Sequence, residues 1–195
     1  MECNTLKLSA SKEKGLKEII VSIAKQSICD ILMHTQSIDK TALFKQYPLF
    51  EKAGATFVTL TLDGQLRGCI GSLIAHRSLL DDLISNAKAA AFDDPRFYPL
   101  SQEEFSRVNI EVSLLSVPEP VLYDTMEDLK SQITPFEDGI ILQKEGRKAT
   151  FLPQVWEQLP TFEQFFSHLC QKAGLSANCL KSHPQIWRYN VEKFK

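Results

Sequence analysis

The sequence lacks a long apolar run, a block of basic residues and the short cysteine or histidine spacings that bind metals. Its longest nearly apolar stretch, residues 19–24, is interrupted by Ser22 and is far too short to span a bilayer. The 22 basic and 24 acidic residues give a net charge of -2, without the clustering that nucleic acid or an anionic membrane surface requires. We therefore expect a soluble protein with no nucleic-acid and no membrane partner.

The five cysteines are widely spaced and odd in number: Cys3, Cys29, Cys69, Cys170 and Cys179. This spacing does not resemble a disulfide framework, and no C-x-x-C pair indicates zinc or a dithiol redox motif. No two of the four histidines lie at i, i+4, so no helical metal pair is predicted. We therefore expect a reducing, cytoplasmic location, no metal and no cofactor.

The order of elements predicts the fold class. Apolar residues at helical spacing predict helices over about residues 12–33 and 79–91. Two apolar β-branched runs around Asp63-Gly64 predict a hairpin over residues 55–70. Alternation over residues 185–194 predicts one last strand. Because strands and helices are mixed irregularly, we expect an α+β fold, with a largely antiparallel sheet flanked by helices and two lobes in one compact domain over residues 1–195.

The turn Arg67-Gly68-Cys69-Ile70-Gly71 is the leading candidate site. A two-residue turn pairs Leu60 with Arg67 and Val58 with Cys69, which places Arg67 and Cys69 on one face of the strand. A guanidinium beside a thiol stabilises the thiolate, as a nucleophilic or redox cysteine requires. The alternative from the residues alone is a tight bend with a buried, inert cysteine and a solvated arginine.

The glycines of this turn sharpen the prediction. Glycine weakens a strand interior, so Gly68 and Gly71 indicate a bulge or a close approach of a ligand to the backbone. Neighbouring N–H groups would then form an anion-binding nest beside Arg67. In the alternative, glycine merely fits the bend.

Three further positions are candidates. Asp94 and Arg96, set by Pro95, are expected to form a structural ion pair in a loop that packs beside the hairpin. Glu111 lies in mid-strand and is either solvated or a partner of Arg67 or Arg96. His76 lies seven residues after Cys69 and is a candidate general base, although most loop histidines are simply exposed.

Four ordered motifs resemble the AMMECR family, the A component of AmmeMemoRadiSam systems. They are Leu66-Arg67-Gly68-Cys69-Ile70-Gly71-Ser72, Asn86-Ala87-Lys88-Ala89-Ala90-Ala91-Phe92-Asp93-Asp94-Pro95-Arg96-Phe97, Ile110-Glu111-Val112-Ser113-Leu114-Leu115 and Thr150-Phe151-Leu152-Pro153-Gln154-Val155-Trp156. The resemblance implies a two-lobed α+β fold and association with a Memo protein and a radical-SAM protein. It implies no reaction, because no activity is securely assigned to the family.

Two classes of function are compatible with these residues. The first, which we favour, is an accessory or interaction domain whose motif binds a small ligand, a peptide or a partner enzyme through Arg67, Gly68, Ile70, Gly71, Asp94 and Arg96. The second is a thiol-dependent enzyme or redox carrier, with Cys69 as nucleophile, Arg67 on an anionic substrate, and His76 or Glu111 assisting. The sequence has no complete catalytic set at any local spacing, which favours the first.

Overall fold

The computed structural model describes residues 15–195. Its helices are α1 (Leu16–Leu32), α2 (Lys40–Gln46), α3 (Leu79–Phe92), α4 (Gln102–Phe105), α5 (Met126–Gln132) and α6 (Phe162–Lys172). Its strands are β1 (Ala55–Leu62), β2 (Gln65–Gly71), β3 (Asn109–Leu115), β4 (Glu119–Val121), β5 (Gly139–Lys144), β6 (Arg147–Phe151), β7 (Gln185–Tyr189) and β8 (Val191–Phe194). The strands form two four-stranded sheets, ordered β2-β1-β3-β8 and β4-β7-β5-β6.

The chain divides into two compact units. Leu115–Val191 form the second unit, and Glu192–Lys195 belong to the first unit with the residues up to Leu114. In the first unit, α3 packs on β1, β2 and α1. Its core consists of side chains with almost no exposed surface, including Ile19, Ile23, Phe50, Val58, Leu60, Leu80, Leu83 and Ala87. Within residues 15–195, no helix is both long and apolar enough to cross a membrane.

The second unit is built on the β5–β6 hairpin and α6. Trp156 and Phe165 stack with ring centroids 3.7 Å apart, and both are fully buried. The Trp156 indole N–H donates to the carbonyl oxygen of Asp138, so the ring is buried without an unpaired donor. This aromatic pair is core packing.

The predicted α+β class and the antiparallel hairpins are confirmed. β1 and β2 pair antiparallel across Asp63 and Gly64, which both have positive φ, at 51° and 80°. This is the geometry of the tight hairpin turn that Asp-Gly favours. The oxygen of Ser78 accepts from the Asp81 N–H, which fixes the start of α3 at the predicted residue. The first helix is described from Leu16 onward, and its predicted start near residue 12 lies outside the described residues.

The structure differs from the sequence prediction at three places: one predicted strand is divided, and one strand and one helix were not predicted. The single last strand is two strands, because Asn190 separates β7 from β8 and the two join different sheets. The Asn190 side chain donates to Asp138 Oδ1 and the Glu137 carbonyl, which fixes this break. β4 contains Pro120 and was missed; it lies at a sheet edge, where proline is tolerated. Helix α2 was also missed, although its N-cap Asp39 is a usable signal.

The prediction that the cysteines form no disulfide is wrong. Cys170, at the end of α6, is bonded to Cys179, at the start of the 3₁₀ helix Cys179–Ser182. Nine positions separate the two in sequence, and no C-x-x-C spacing marks them. Among the residues that the structure describes, Cys69 is the free thiol. The inference of a reducing compartment from cysteine spacing therefore loses its basis.

Candidate functional site

Strand β2 contains a bulge at the motif. Leu66 pairs with Thr61 and Gly68 with Leu60, so Arg67 is the extra residue on this strand. The predicted register, Leu60 with Arg67, is wrong for this reason: past the bulge, every partner moves by one residue. Cys69 therefore pairs with Thr59 instead of Val58. A bulge at a sheet edge redirects a side chain. Here it lets Arg67 reach the segment that follows α3.

The side chains of Asp94 and Arg96, in residues 94–98, bind the outer edge of β2. We call residues 94–98 the 94–98 loop. The Cys69 N–H donates to Asp94 Oδ2 at 2.8 Å, and the Cys69 carbonyl oxygen accepts from Arg96 Nη2 at 3.2 Å. Arg96 also donates to both oxygens of Asp94, at 2.9 and 2.7 Å. The two side chains thus take the place that a neighbouring strand would occupy beside Cys69.

Burial and charge make this clamp strong. The Asp94 side chain is only 2% exposed, whereas that of Arg96 is 52% exposed. Hydrogen bonds from Arg96, together with the N–H groups of Cys69 and Arg96, hold the pKa of Asp94 far below its usual value against the opposing effect of burial. The structural ion pair predicted between Asp94 and Arg96 is present. Asp94 also accepts from the Cys69 N–H, and Arg96 also donates to the Cys69 carbonyl oxygen.

Arg67 is engaged by Glu104, which sequence reasoning missed as its partner. Its Nε and Nη2 donate to the two oxygens of Glu104 at 2.8 and 2.9 Å, in a bidentate pair. Nη2 also donates to the Tyr98 carbonyl oxygen at 2.9 Å. Hydrogen bonding to Arg67 lowers the pKa of Glu104 to about 2. The available signal was the capping box of α4, in which Glu104 accepts from the N–H of Ser101 and is held in place.

The thiol of Cys69 has the hydroxyl group of Thr59 as a polar neighbour. Its Sγ lies 3.4 Å from the hydroxyl oxygen of Thr59, and the residue is half-buried. His76 is exposed, and its Nδ1 lies 3.0 Å from the carbonyl oxygen of Ile74. Glu111 forms ion pairs with Lys193 and Lys195. Glu111 is thus partly solvated and pairs with neither Arg67 nor Arg96, because β8 and the residue after it bring lysines to β3.

The glycines serve close packing inside the protein. A Cβ on Gly68 would lie 2.1 Å from the Ala90 carbonyl oxygen, and one on Gly71 would lie 2.2 Å from the Phe57 ring. Neither glycine has a positive φ. The predicted close approach is real, but helix α3 makes it at Gly68. Ile70 packs against the core of the first unit, and the Cys69 N–H that would begin an anion nest is bonded to Asp94.

A buried polar cluster at the open end of the hairpin was also missed. Asp82 is fully buried and accepts from the Thr56 N–H and hydroxyl, the Ser72 hydroxyl, the Arg77 Nε and the Asn86 amide. Five hydrogen-bond donors stabilise the buried carboxylate as a charge. The cluster fixes α3 to both strands of the hairpin.

The chain is similar to proteins of known sequence over almost its full length. The AMMECR1 family model matches residues 21–194. A protein of Methanothermobacter thermautotrophicus is 33% identical over 191 residues, covering 94% of this chain and 95% of its own length. A protein of Saccharolobus solfataricus is 36% identical over 189 residues, covering 91% and 80%. The crystal structure of an uncharacterised protein from Pyrococcus horikoshii matches with a TM-score of 0.74 and 30% identity, over 91% of this chain and 89% of that one.

Proposed function

The chain belongs to the AMMECR1 family, and we propose that it is a non-enzymatic binding domain that works with Memo-like and radical-SAM proteins. Its membership confirms the resemblance found in the sequence. The proposed binding surface is the edge of β2 together with the 94–98 loop. It takes a small ligand or a peptide segment, or a surface of one of those partner proteins.

The observation that carries this proposal is the state of the two motif arginines. Arg67 is already bonded to Glu104, and Arg96 to Asp94. In each pair a carboxylate already compensates the guanidinium, which weakens the support that the arginine gives to a thiolate or an anionic substrate. Neither His76 nor Glu111 is bonded to Cys69, so neither is placed as its base. These contacts fit a rigid display surface better than an activated nucleophile.

The 94–98 loop presents groups that suit binding. Tyr98 is 90% exposed, while its main-chain carbonyl is fixed by Arg67. The Phe97 ring lies near both arginines, with its centroid 5.7 Å from Arg67 Cζ and 5.5 Å from Arg96 Cζ. Exposed Leu66 adds apolar surface on β2. A rigid segment carrying exposed aromatic and arginine side chains is the usual composition of an interface centre.

We also propose a cytoplasmic location, because of the redox requirement of the proposed radical-SAM partner. Radical-SAM chemistry uses an iron–sulfur cluster, whose cysteine thiolate ligands require reducing surroundings. This ground comes from the proposed partners and not from the cysteines of this chain.

One alkylation experiment separates binding from thiol chemistry. Purified protein is treated with iodoacetamide from pH 6 to pH 9 beside a free cysteine peptide, and Cys69 labelling is followed by mass spectrometry. We expect Cys69 to react no faster than the peptide at pH 6, and Arg67→Ala to leave its rate within about twofold. Labelling of Cys69 at pH 6 well ahead of the peptide, slowed by Arg67→Ala, would contradict the proposal and favour a thiol-dependent enzyme.

A binding experiment tests the surface itself. Purified Memo-like and radical-SAM proteins are titrated against the wild type and against Tyr98→Ala by calorimetry. We expect measurable binding to at least one partner and a loss of about tenfold or more in Tyr98→Ala, since exposed tyrosines are frequent hot spots. Leu49→Ala, at another exposed apolar residue, is the matched control and should bind as the wild type does. Absence of binding to both partners would refute the proposed association.

A further inference from the structure

Arg67 has a donor that the protein leaves unused. A guanidinium carries five N–H groups in one plane. Glu104 takes the Nε–H and one N–H of Nη2, and the Tyr98 carbonyl takes the second N–H of Nη2. Nη1, with two N–H groups, has no acceptor among residues 15–195 although it is buried. The Arg67 side chain as a whole is only 11% exposed.

A buried N–H donor normally has a hydrogen-bond acceptor. A buried unsatisfied N–H is destabilising, and native structures contain few of them. The planar guanidinium also fixes where the acceptor lies. Because Glu104 occupies the Nε–Nη2 edge, the contact to Tyr98 is at the end of the guanidinium, and one N–H of Nη1 runs parallel to it. An acceptor on this N–H of Nη1 therefore lies beside the Tyr98 carbonyl.

The charges around Nη1 exclude an anion as the preferred acceptor. Glu104, with its pKa lowered to about 2, is ionised throughout the physiological range and neutralises Arg67. Arg96 is likewise neutralised by Asp94. An incoming carboxylate would meet two carboxylates and no uncompensated cation, whereas an uncharged oxygen avoids that repulsion.

We propose that Arg67 Nη1 is the donor of a binding site for an uncharged amide carbonyl oxygen, either of a small amide or of a peptide group. This inference rests on the proposed function and names the chemical class that its surface takes. Tyr98 provides the route of entry. Its segment has no helix or strand, and its side chain is 90% exposed, so we expect the amide to reach Nη1 from the side of Tyr98.

The site is tested by NMR of ¹⁵N-arginine-labelled protein, with assignment by Arg67→Lys. N-methylacetamide, the capped dipeptide N-acetyl-dialanine-methylamide and acetate are titrated separately at constant ionic strength. We expect both amides to shift the Arg67 Nη signals saturably and acetate to bind at least about tenfold more weakly, a difference of about 1.4 kcal/mol. Tighter binding of the dipeptide than of N-methylacetamide would assign a peptide as the source, and equal binding a small amide.

Glu104→Gln removes most of the preference for the amide if the charge argument is right. This variant keeps Nη1 but leaves Arg67 with a net positive charge, so acetate should gain on the amide by about tenfold. Unsaturable or absent shifts with both amides would overturn the inference and assign Nη1 to a trapped water only. An unchanged ratio of the amide and acetate affinities in Glu104→Gln would overturn it as well. Because partner titrations do not involve these probes, either failure is distinguishable from failure of the proposed function.

Discussion

Gly68 lies directly against the carbonyl oxygen of Ala90, so close that a Cβ on Gly68 would stand 2.1 Å from it. Gly68 belongs to β2 and Ala90 to the last turn of α3, so this contact sets how closely the helix approaches the motif strand. The 94–98 loop follows α3 directly. A change in this spacing would therefore move Asp94 relative to Cys69 and alter the clamp on the strand edge.

Replacement of Gly68 by alanine is expected to destabilise the first unit. The obstructing atom belongs to the backbone and cannot rotate away, so we expect a loss of about 2–4 kcal/mol, at or above the usual range for an added methyl group. Urea unfolding of Gly68→Ala measures it. Gly15→Ala is the control, because nothing lies within 4 Å of the position that an added Cβ would take there. It should cost no more than about 1 kcal/mol, because alanine is only a poorer N-cap of α1 than glycine. Equal stability of the two variants would show that the helix is not held by this contact.

Removal of the Asp94 carboxylate is expected to open the edge of β2. Asp94→Ala leaves the Cys69 N–H without its acceptor and Arg96 without its carboxylate partner. Hydrogen exchange of the Cys69 amide should then accelerate by at least about tenfold. Asp94→Asn retains an acceptor oxygen and should accelerate it less. Asp93→Ala, at the exposed neighbour, should leave the rate unchanged; an equal effect there would mean that general loosening, and not the lost acceptor, is being measured.

The Arg67–Glu104 pair is expected to give a defined acid dependence. Because the folded pKa of Glu104 is lowered from 4.5 to about 2, ionised Glu104 stabilises the protein fully above pH 4.5, and this contribution is lost as the pH falls through 2. The stability difference between wild type and Glu104→Gln, about 1–3 kcal/mol at pH 7, should therefore shrink from pH 4.5 downward. Urea unfolding at several pH values measures it.

Glu103→Gln is the matched control for this titration. Glu103 is the exposed neighbour in α4, and its replacement should produce a small difference from the wild type at every pH. A gap between wild type and Glu104→Gln that stays constant down to pH 2 would contradict the ion pair.

The disulfide of the second unit is expected to contribute to its stability. Closing the chain between Cys170 and Cys179, nine positions apart, stabilises by about 2.5 kcal/mol on loop-entropy grounds. The double variant Cys170→Ala, Cys179→Ala should be less stable than the oxidised protein by about that amount. Mass spectrometry of unfolded, unreduced protein checks the premise. Alkylation of both residues without prior reduction would show that the bond is absent.

Local patterns in the sequence determined much of the fold. Asp63-Gly64 specifies a tight turn because both residues tolerate positive φ, and the structure has this turn. Ser78 and Ser101 mark helix starts because their hydroxyls satisfy the first free N–H groups, and both caps form. The family follows from ordered motifs along the chain, and the match over residues 21–194 confirms it. Each of these signals involves neighbours a few residues apart.

Only the tertiary structure decided which distant groups meet. The bulge at Arg67 shifts the register by one residue, and no alternation pattern marks it because the adjoining residues fit either pairing. Glu104 and Arg67 are 37 positions apart, and Cys69 and Asp94 are 25 apart. Their pairing depends on how α3 carries the 94–98 loop back to the edge of β2. Charge and residue type allow several partners for each arginine, and packing of the helix against Gly68 selects one.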